Sequence, residues 1–532
     1  MLNKLAMGEA NQLSSRMRDT IVSIAANIDK TMANRVSCID LATAENWLIR
    51  PELQEIYQAA ISSGISSKNL SYPDSLAGDL ELRESLALLF TRYFSPHRPV
   101  QASQVVATPG ATHCLDALLT TICNEGDSIL VPVPYWSGFA LHFHLRARVN
   151  IVPVRLEWDP AAGPLDETSR PLERSLLGAL EAAFAGVEDK STVKALVVTN
   201  PNNPLGQCYP ACVLRECLQF CRERDMHYVS DELYALSHFG AGHAGVKGHA
   251  FVSALALVGP SRSGLGNRSE VPPGRKKRTR MENDEDEDGR DMKVGPAGKR
   301  RRIGQLGGND EAHMVDVCSP LVNGTEAEDD ENSNGIMVSR GRDGEVVKLK
   351  ASDEADEEDD DMDTAKVHVI WSTSKDLCSS GLRMAALVSQ APRSALILKS
   401  VALLSGMHLS SLSALATRRL LQSSRFPGLL SQLSSRLARA HEMAATRFRR
   451  WGVPFIVADA GPFVMVRLGA GRDEAGILRR LAQVGVMVAP GRTFGGSGWC
   501  EGDGGFWARV TVAVPPETLW DGLQTMEFAL GF

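Results

Sequence analysis

The chain has 532 residues, of which 43% are hydrophobic and 23% are charged, the composition of an ordinary globular protein. Its formal net charge of −7 gives no bulk attraction to nucleic acid or to an anionic membrane surface. The longest apolar run, near residues 395–405, is interrupted by Lys399 and is shorter than the roughly 18 residues of a spanning helix. The first residues carry no continuous apolar stretch and no small-residue cleavage site. The sequence therefore predicts neither a membrane protein nor a secreted one.

The 10 cysteines are few for this length and include no Cys-x-x-Cys pair, which is typical of reduced thiols in the cytoplasm. The tightest group comprises Cys208, Cys212, Cys217 and Cys221, spaced as on a helix within each pair. Apolar residues interleave with these thiols, so the sequence favours core cysteines over a zinc site. We therefore expect a cytoplasmic protein without a metal centre.

Residues 259–366 carry blocks of like charge that set them apart from the rest of the chain. Basic clusters at Arg275–Arg280 and Lys299–Arg302 alternate with acidic runs such as 352–363. A segment so charged and so poor in aromatic residues cannot bury enough apolar surface to offset chain entropy, which predicts disorder. The two basic clusters also match the spacing of a bipartite nuclear-import signal. The balance of opposite charges favours a solvated insertion, and a nuclear location is the alternative.

On both sides of this segment, short apolar runs alternate with helical patterns, which is typical of an α/β protein with a mostly parallel sheet. The predicted strands are 104–108, 128–132, 195–199, 227–230 and 367–371, and the predicted helices include 113–123 and 209–224. A mostly helical stretch follows from 392 to 451, and strand patterns after it predict a smaller α/β domain.

These patterns predict a division of the chain into segments. The prediction places an N-terminal segment packed with the small domain at 1–66, a large cofactor-binding domain at 67–258 and 367–392, and the small domain at 393–532. In open parallel sheets, ligands bind beyond the carboxyl ends of the strands. The unusual residues of this chain follow those strand ends, so a ligand site is expected there.

Two loops after predicted strands are suited to bind an anion and an oxygen acceptor. Gly110 permits a tight turn, and the amides of Ala111 and Thr112 would point from a helix N-terminus at an anion. In the loop NPNNPLG, Asn203 is a candidate hydrogen-bond donor. Each signal also fits ordinary turn chemistry when it stands alone.

Two further strand ends carry titratable side chains. Asp231 directly follows an apolar strand, with Tyr234 three residues on, although an aspartate there also fits a helix N-cap. Lys375 follows another apolar strand, where a lysine facing a cleft can lose its proton and form a Schiff base. Ser372 and Arg383 flank Lys375 and could bind a phosphate, the guanidinium with two hydrogen bonds.

Together these motifs resemble the fold-type-I enzymes that use pyridoxal 5′-phosphate, within the class I and II aminotransferase family. Within this family, the chain most resembles the branch that includes 1-aminocyclopropane-1-carboxylate synthase. It rests on IDLATAENWLIRPEL, GDLELRESLALLF, VPVPYWSGF, NPNNPLG, SDELYAL and STSKDLCSSGLRMA, and it covers roughly residues 10–255 and 366–530. The resemblance implies the fold-type-I architecture, with a large domain and a smaller α/β domain.

The resemblance also implies roles for individual residues. It makes Lys375 the Schiff-base lysine and catalytic base, and Asp231 the partner of the cofactor ring nitrogen. By the resemblance, Asn203 and Tyr234 donate hydrogen bonds to the phenolic oxygen of the cofactor, and Tyr135 stacks on the face of its ring. The phosphate would be held by a further set: Gly110, Ala111, Thr112, Ser372 and Arg383.

For the substrate, the resemblance points to an amino acid bound through its carboxylate. Arg509, in GGFWARVTVAV, matches the residue that binds this carboxylate, although an exposed strand arginine is the alternative. Glu45 and Asn46 match the substrate-pocket motif of the synthase branch. Tyr72 could reach the phosphate of a partner subunit, which implies a homodimer.

The motifs leave the reaction type open, because transamination and elimination use the same lysine, aspartate and arginine. An aminotransferase is the broadest expectation. The alternatives are a lyase, either like 1-aminocyclopropane-1-carboxylate synthase or cleaving carbon–sulfur bonds, and a weakly active cofactor-binding protein whose insertion recruits partners or directs it to the nucleus.

Overall fold

The computed structural model describes residues 38–155, 165–240, 248–258, 366–406, 409–470, 473–495 and 505–532. The charged segment predicted to be disordered, with both basic clusters, lies outside these residues except for Lys366. Most of the predicted N-terminal segment lies outside them as well. Within the described ranges, every helix is too short or too polar to cross a membrane.

The strands form a large central sheet and two small sheets. They are β1 (Ile39–Asp40), β2 (Val105–Thr108), β3 (Ser128–Pro132), β4 (Asn150–Val154), β5 (Val193–Thr199), β6 (His227–Asp231), β7 (Val367–Ser372), β8 (Ala385–Val388), β9 (Phe455–Ile456), β10 (Phe463–Ala470), β11 (Val486–Met487), β12 (Ala489–Pro490) and β13 (Gly505–Thr511). The central sheet has the order β2-β8-β7-β6-β5-β3-β4. Only β8 runs antiparallel to its neighbours among these strands, so the other strands end at a common edge.

Helices cover the central sheet and continue into the C-terminal part of the chain. They are α1 (Arg50–Gly64), α2 (Leu80–Tyr93), α3 (Ala111–Ile122), α4 (Gly138–His142), α5 (Leu177–Gly186), α6 (Ala211–Glu223), α7 (Thr373–Asp376), α8 (Ala395–Ser405), α9 (Ser411–Gln422), α10 (Phe426–Trp451), α11 (Glu474–Gln483) and α12 (Pro516–Leu530). Capping residues and a glycine mark the starts of several of these helices. The Asp79 carboxylate caps α2 by accepting a bond from the Leu82 amide at 2.8 Å, and Gly110 begins α3 at φ +99.

Apolar side chains on both faces of the sheet hold the large domain together. Trp371 on β7 is fully buried on one face, and Ile370 beside it faces the opposite cluster. This alternation is what a strand between two helical layers requires. Strand β7 therefore provides a rigid support for the helix that follows it, Thr373–Asp376.

The C-terminal part has its own core and a four-stranded antiparallel sheet of order β12-β13-β10-β9. Strand β1 of the N-terminal segment pairs in parallel with β11 of this part. Because Thr511 also donates its amide to the carbonyl of Leu41, the loop after β1 lies directly against β13. The fold therefore brings the N-terminal loop and β13 to one place.

The predicted strands are present with ends displaced by two residues or fewer, and the structure adds β4 and β8, which the sequence patterns did not identify. The helical stretch predicted from 392 to 451 forms three helices rather than one run. Gly406 ends α8 in an extended conformation, and Pro427 lies in the first turn of α10, where a missing amide costs nothing.

The four clustered cysteines do not form a metal site. Cys208, Cys217 and Cys221 are buried, whereas Cys212 is exposed on α6, so the four thiols do not converge. In the part of the chain that the structure describes, no group of three His, Cys, Asp or Glu side chains is placed to hold a metal ion.

A histidine pair at the amino ends of β6 and β7 gives a testable pH dependence. His227 Nδ1 lies 3.0 Å from His368 Nε2, and His368 Nδ1 lies 2.6 Å from the Ser389 hydroxyl. Burial lowers the pKa of His227 to about 4 and that of His368 to about 3. The unfolded chain therefore binds more protons than the folded chain below about pH 6.5, and stability falls as pH drops from there toward 4.

We expect this pair to contribute about 4 kcal/mol, roughly 2 kcal/mol for each histidine, to the stability lost between pH 7 and pH 5. Urea unfolding midpoints of the wild type and of the double variant His227→Asn/His368→Asn would measure it at both pH values. The two chains share every other titrating group, so the variant should lose less stability over this interval. An equal loss in both chains would contradict the assignment.

Candidate functional site

The site is built at the carboxyl edge of the central sheet, and Lys375 stands at its centre. Lys375 belongs to α7, the short helix that follows β7, and Ser372 caps this helix by accepting a bond from the Ser374 amide at 3.1 Å. The Lys375 ammonium donates to the carbonyl of Ala44 at 2.6 Å. Burial and the nearby guanidinium of Arg509 lower the pKa of Lys375 to about 8. A lysine in this state can give up its proton near neutral pH.

Asp231 ends the neighbouring strand β6 and is 2% exposed. The Thr199 hydroxyl lies 3.4 Å from Asp231 Oδ2, while Oδ1 is buried with no hydrogen-bond partner among the described residues. Burial raises the pKa of Asp231 to about 7, against the lowering effect of Thr199. An ionised carboxylate with one unsatisfied buried oxygen calls for a cationic or hydrogen-bond-donating group at that position.

A cradle for an anion lies at the start of α3. Gly110 precedes the helix at φ +99, and the first amides of the helix, those of Ala111 and Thr112, have no partner within the helix itself. A Cβ atom at Gly110 would stand 2.4 Å from Arg383 Nη2, so only glycine admits the guanidinium there. Arg383 itself is exposed and donates to the carbonyl of Ser380 at 2.8 Å. Helix amides and a guanidinium around one point suit a phosphate.

Arg509 on β13 joins the site from the C-terminal part of the chain. Its guanidinium donates to Asn203 Oδ1 at 2.6 Å and to the carbonyl of Ala42 at 2.7 Å, and its Nε is buried with no hydrogen-bond partner in the described ranges. The rings of Phe463 and Phe494 lie 4.8 and 4.9 Å from its carbon Cζ. Burial lowers the pKa of Arg509 to about 10, yet it stays charged at neutral pH.

Asn203 links this guanidinium to Tyr234. The Asn203 amide nitrogen lies 3.4 Å from the Tyr234 hydroxyl, and both side chains are buried. Burial raises the pKa of Tyr234 above its ordinary value, so its hydroxyl keeps its proton. Asp231 lies close enough to Tyr234 and to Lys375 for its charge to act on both side chains.

The loop after β1 closes the site on one side. Glu45 accepts a bond from Arg50 at 3.0 Å and another from the Ser380 hydroxyl. Burial opposes ionisation of Glu45, but these two bonds outweigh it and hold the pKa below its usual value. Asn46 is fully buried, with its amide nitrogen unpaired within the described residues. Glu45 is thus ionised, and Arg50 balances its charge. The Asn46 amide nitrogen remains available to donate a hydrogen bond.

The remaining predicted residues occupy different settings. The ring of Tyr135 is half-buried and stacks on Phe139 with 6.2 Å between centroids. The hydroxyl of Ser372 bonds the carbonyl of Met384 at 2.8 Å while it caps α7. Tyr72 is 80% exposed and makes no contribution to the site of its own chain.

Three features of the site were not predicted from the sequence. Asp376, directly after Lys375, is a fully buried carboxylate that binds the turn carrying Tyr234. Ser380 bonds Glu45, and Phe494 flanks Arg509. Only Asp376 had a usable signal, since an acidic residue in an otherwise apolar and hydroxylated run must be paired to be buried.

Comparison with known proteins identifies the family. The model of the family described as aminotransferase class I and II matches residues 36–259 and 341–524, more than half of the chain. A relative named probable aminotransferase aclI, from Aspergillus oryzae, is 30% identical over 527 residues, and the alignment covers 98% of each of the two chains. The chain belongs to the class I and II aminotransferase family.

Other similar proteins agree with this placement. A human protein named probable inactive 1-aminocyclopropane-1-carboxylate synthase-like protein 2 is 32% identical over 233 residues, 43% of this chain and 39% of its own length. Among solved structures, an archaeal alanine:glyoxylate aminotransferase superposes with a TM-score of 0.64 at 16% identity, covering 98% of this chain and 99% of its own. A Thermus thermophilus aspartate aminotransferase mutant superposes with a TM-score of 0.61 at 17% identity, covering 97% and 99%. These structures share the fold-type-I architecture predicted from the sequence.

The residues present fit the cofactor of this family, pyridoxal 5′-phosphate. The unpaired oxygen of Asp231 suits a protonated ring nitrogen, and the cradle at Gly110 suits a phosphate. Lys375 supplies a buried amine whose lowered pKa favours Schiff-base formation. Nothing in this donor set calls for a metal instead.

Proposed function

We propose that the protein is a pyridoxal-5′-phosphate-dependent aminotransferase that acts on an amino acid through Lys375. The observation that carries the proposal is the unpaired, buried oxygen of Asp231 at the same sheet edge as the partly buried amine of Lys375. When bound, the cofactor supplies an aldehyde that joins an amine and a ring that accepts an electron pair. Membership of the family and the names of the relatives support the same choice.

Each part of the cofactor has residues suited to hold it. Asp231 would keep the ring nitrogen protonated, and Asn203 and Tyr234 would donate to the phenolic oxygen. Tyr135 would cover the ring face. The phosphate would be held by the group already described: Gly110, Ala111, Thr112, Ser372 and Arg383.

Arg509 would bind the carboxylate of the amino acid. Its present acceptors are two neutral oxygens, on Asn203 and Ala42, and a carboxylate is a stronger acceptor than either. The unpaired Nε gives the guanidinium a further donor. Asn46, whose buried amide nitrogen is also unpaired, lies on the loop that supplies Ala42 and is the residue best placed to add a bond to the substrate.

Lys375 would move the proton. Once its amine is released by the incoming substrate, Lys375 is the base that takes the proton from the substrate α-carbon. Its pKa of about 8 leaves a useful fraction neutral at pH 7. The carbonyl of Ala44, which now holds the Lys375 nitrogen at 2.6 Å, offers the released amine a fixed position.

Replacing Arg509 with alanine is expected to raise KM for the amino acid by about 100-fold while kcat changes less. The reason is that a buried charge-assisted pair to the carboxylate is worth about 2–5 kcal/mol and is formed before the chemical step. Steady-state kinetics measure both constants. Arg479→Ala, at an exposed position on α11, is the control that should leave KM unaltered. An unchanged KM in Arg509→Ala would remove this residue from the site.

The reaction type is tested with a panel of amino acids, each supplied with a keto-acid acceptor. Transfer of the amino group to the acceptor, with a matching keto acid from the donor, supports an aminotransferase. Release of ammonia, a thiol or a cyclised amino acid without need of the acceptor would instead support a lyase. A visible band that forms with the cofactor but responds to no amino acid would support the third alternative, a binding protein without turnover.

We also infer that the active unit is a homodimer. Tyr72, Leu70, Leu396 and Leu403 are each at least 68% exposed, and Leu76 packs where α8 ends at Gly406. An apolar surface of this kind is typical of an interface. Sedimentation should give a dimer, and the double variant Leu396→Asp/Leu403→Asp should be monomeric. A monomeric wild type would contradict the inference.

A further inference from the structure

The carboxylate of Asp376 is hydrogen-bonded to β7, the strand that leads into the helix carrying Lys375. Asp376 follows Lys375 at the end of α7 and is fully buried. The indole nitrogen of Trp371, on β7, donates to Asp376 Oδ2 at 2.8 Å. Because Trp371 is itself fully buried in the core of the sheet, this bond gives the carboxylate a fixed orientation.

The same carboxylate binds the turn that carries Tyr234. The Leu236 amide donates to Asp376 Oδ2 at 2.9 Å, and the Ser237 hydroxyl donates to Asp376 Oδ1. The Ser237 amide in turn donates to the carbonyl of Tyr234 at 3.1 Å. Asp376 therefore connects the turn after β6 to the helix after β7 through two side-chain hydrogen bonds.

We propose that Asp376 is a positioning residue that holds the Tyr234 hydroxyl in place relative to Lys375. The inference rests on the proposed function, because the effect is felt through the cofactor. Tyr234 would donate to the phenolic oxygen of the cofactor, and such a bond lowers the pKa of the adjoining Schiff-base nitrogen. If the turn shifts, the bond lengthens and that pKa rises.

Charge alone is a competing explanation, so the charged neighbours matter. Arg509, Glu45, Arg383 and Asp231 act on Lys375 from four other elements. Arg509 and Asp231 also act on Tyr234, together with Asp376. Burial raises the pKa of Asp376 to about 7, so the carboxylate carries a negative charge above that pH. Removal of this charge by itself would lower the Schiff-base pKa rather than raise it. Geometry and charge thus predict shifts of opposite sign.

Two substitutions separate these effects. In Asp376→Asn the amide oxygen can accept from Trp371 and Leu236, and the amide nitrogen can donate to the Ser237 oxygen. This variant keeps all three contacts and loses only the charge. In Asp376→Ala the contacts are lost as well. The matched control is Glu232→Ala, which removes an equally buried carboxylate bound to Ser230, Ser253 and the Ala254 amide, with no contact to Lys375 or Tyr234.

The measurement is a pH titration of the visible absorption band of each protein reconstituted with pyridoxal 5′-phosphate. We expect the band pKa in Asp376→Ala to rise by about one unit. It should change far less in Asp376→Asn and Glu232→Ala. In a Tyr234→Phe background, Asp376→Ala should produce no further rise. A fall in both Asp376 variants, or an equal rise in the Tyr234→Phe background, would overturn the proposal.

Thermal unfolding without cofactor monitors folding of each variant. If Asp376→Ala does not fold, Ser237→Ala and Trp371→Phe each remove one donor and should each raise the band pKa by a smaller amount; no rise in either would overturn the proposal. Absence of any visible band in the wild type would contradict the proposed function instead, so the two failures are distinguishable.

Discussion

Replacing Lys375 with alanine is expected to abolish multiple turnover, with a loss of at least about 10⁴-fold in kcat, because in the proposed mechanism the residue is both the amine joined to the cofactor and the base. The cofactor should still bind without a covalent bond, since Asp231, Gly110 and the residues around them are untouched. Steady-state assays measure the first effect, and equilibrium dialysis of the cofactor measures the second.

Lys375→Arg and Lys366→Ala make this result specific. Arginine keeps a positive charge at the position but offers no amine for a Schiff base, so it should be as inactive as alanine. Lys366 is half-buried and pairs with Asp225. It lies just before β7, at the end of the strand opposite to Lys375, so its removal should leave turnover intact. Appreciable turnover in Lys375→Arg would contradict the role of the amine.

Asp231→Ala should lower kcat by about 10²–10³-fold or more, the second largest effect. Asp231 is the only carboxylate within β5, β6 and β7, and in the proposed mechanism it keeps the ring nitrogen protonated. Electrostatic stabilisers of this kind contribute on that scale. Since Thr199 contacts only one oxygen of Asp231, the other is the one that would meet the ring. Presteady-state absorbance changes on mixing with an amino acid would locate the loss in the chemical step.

Glu232 provides the matched control for Asp231. It is the next residue, it is equally buried, and burial raises its pKa to about 7 as well. Its oxygens, however, are satisfied by Ser230, Ser253 and the Ala254 amide. Glu232→Gln should therefore retain most of the rate. Comparable losses in Asp231→Ala and Glu232→Gln would mean that Asp231 acts through stability rather than on the cofactor.

The large domain was predictable because its signals are local. Strands β5, β6 and β7 are buried apolar runs, and each ends at a polar or titratable residue that the sequence displays. Parallel strands place such ends at one edge, so Asp231 and Lys375 could be assigned to one site before any coordinates were known. Strand β8 escaped prediction because four residues flanked by a left-handed Arg383 give no periodic pattern.

The parts that were not predictable depend on long-range contacts. The carbonyls of Ala42 and Ala44, which meet Arg509 and Lys375, are backbone atoms and carry no sequence signal. The bond between Ser380 and Glu45 joins positions 335 residues apart. Tertiary packing decides these contacts, and pattern analysis of one sequence cannot supply them.

The hydrogen bonds of Arg509 to Asn203 and Ala42 link the proposed substrate site to the proposed cofactor site. In the structure its guanidinium is satisfied by Asn203 and by the loop after β1. If Arg509 binds the substrate carboxylate as proposed, the carboxylate would compete with Asn203 Oδ1 and the Ala42 carbonyl for the guanidinium. Because Asn203 also contacts the Tyr234 hydroxyl, substrate binding would then be coupled to the hydrogen bonds around the cofactor through Asn203.

The most direct measurement treats the protein, reconstituted with pyridoxal 5′-phosphate, with borohydride and maps the labelled peptide. The account predicts one stable adduct, on the ε-nitrogen of Lys375. A peptide carrying the adduct at another lysine, or no adduct at all, would contradict it.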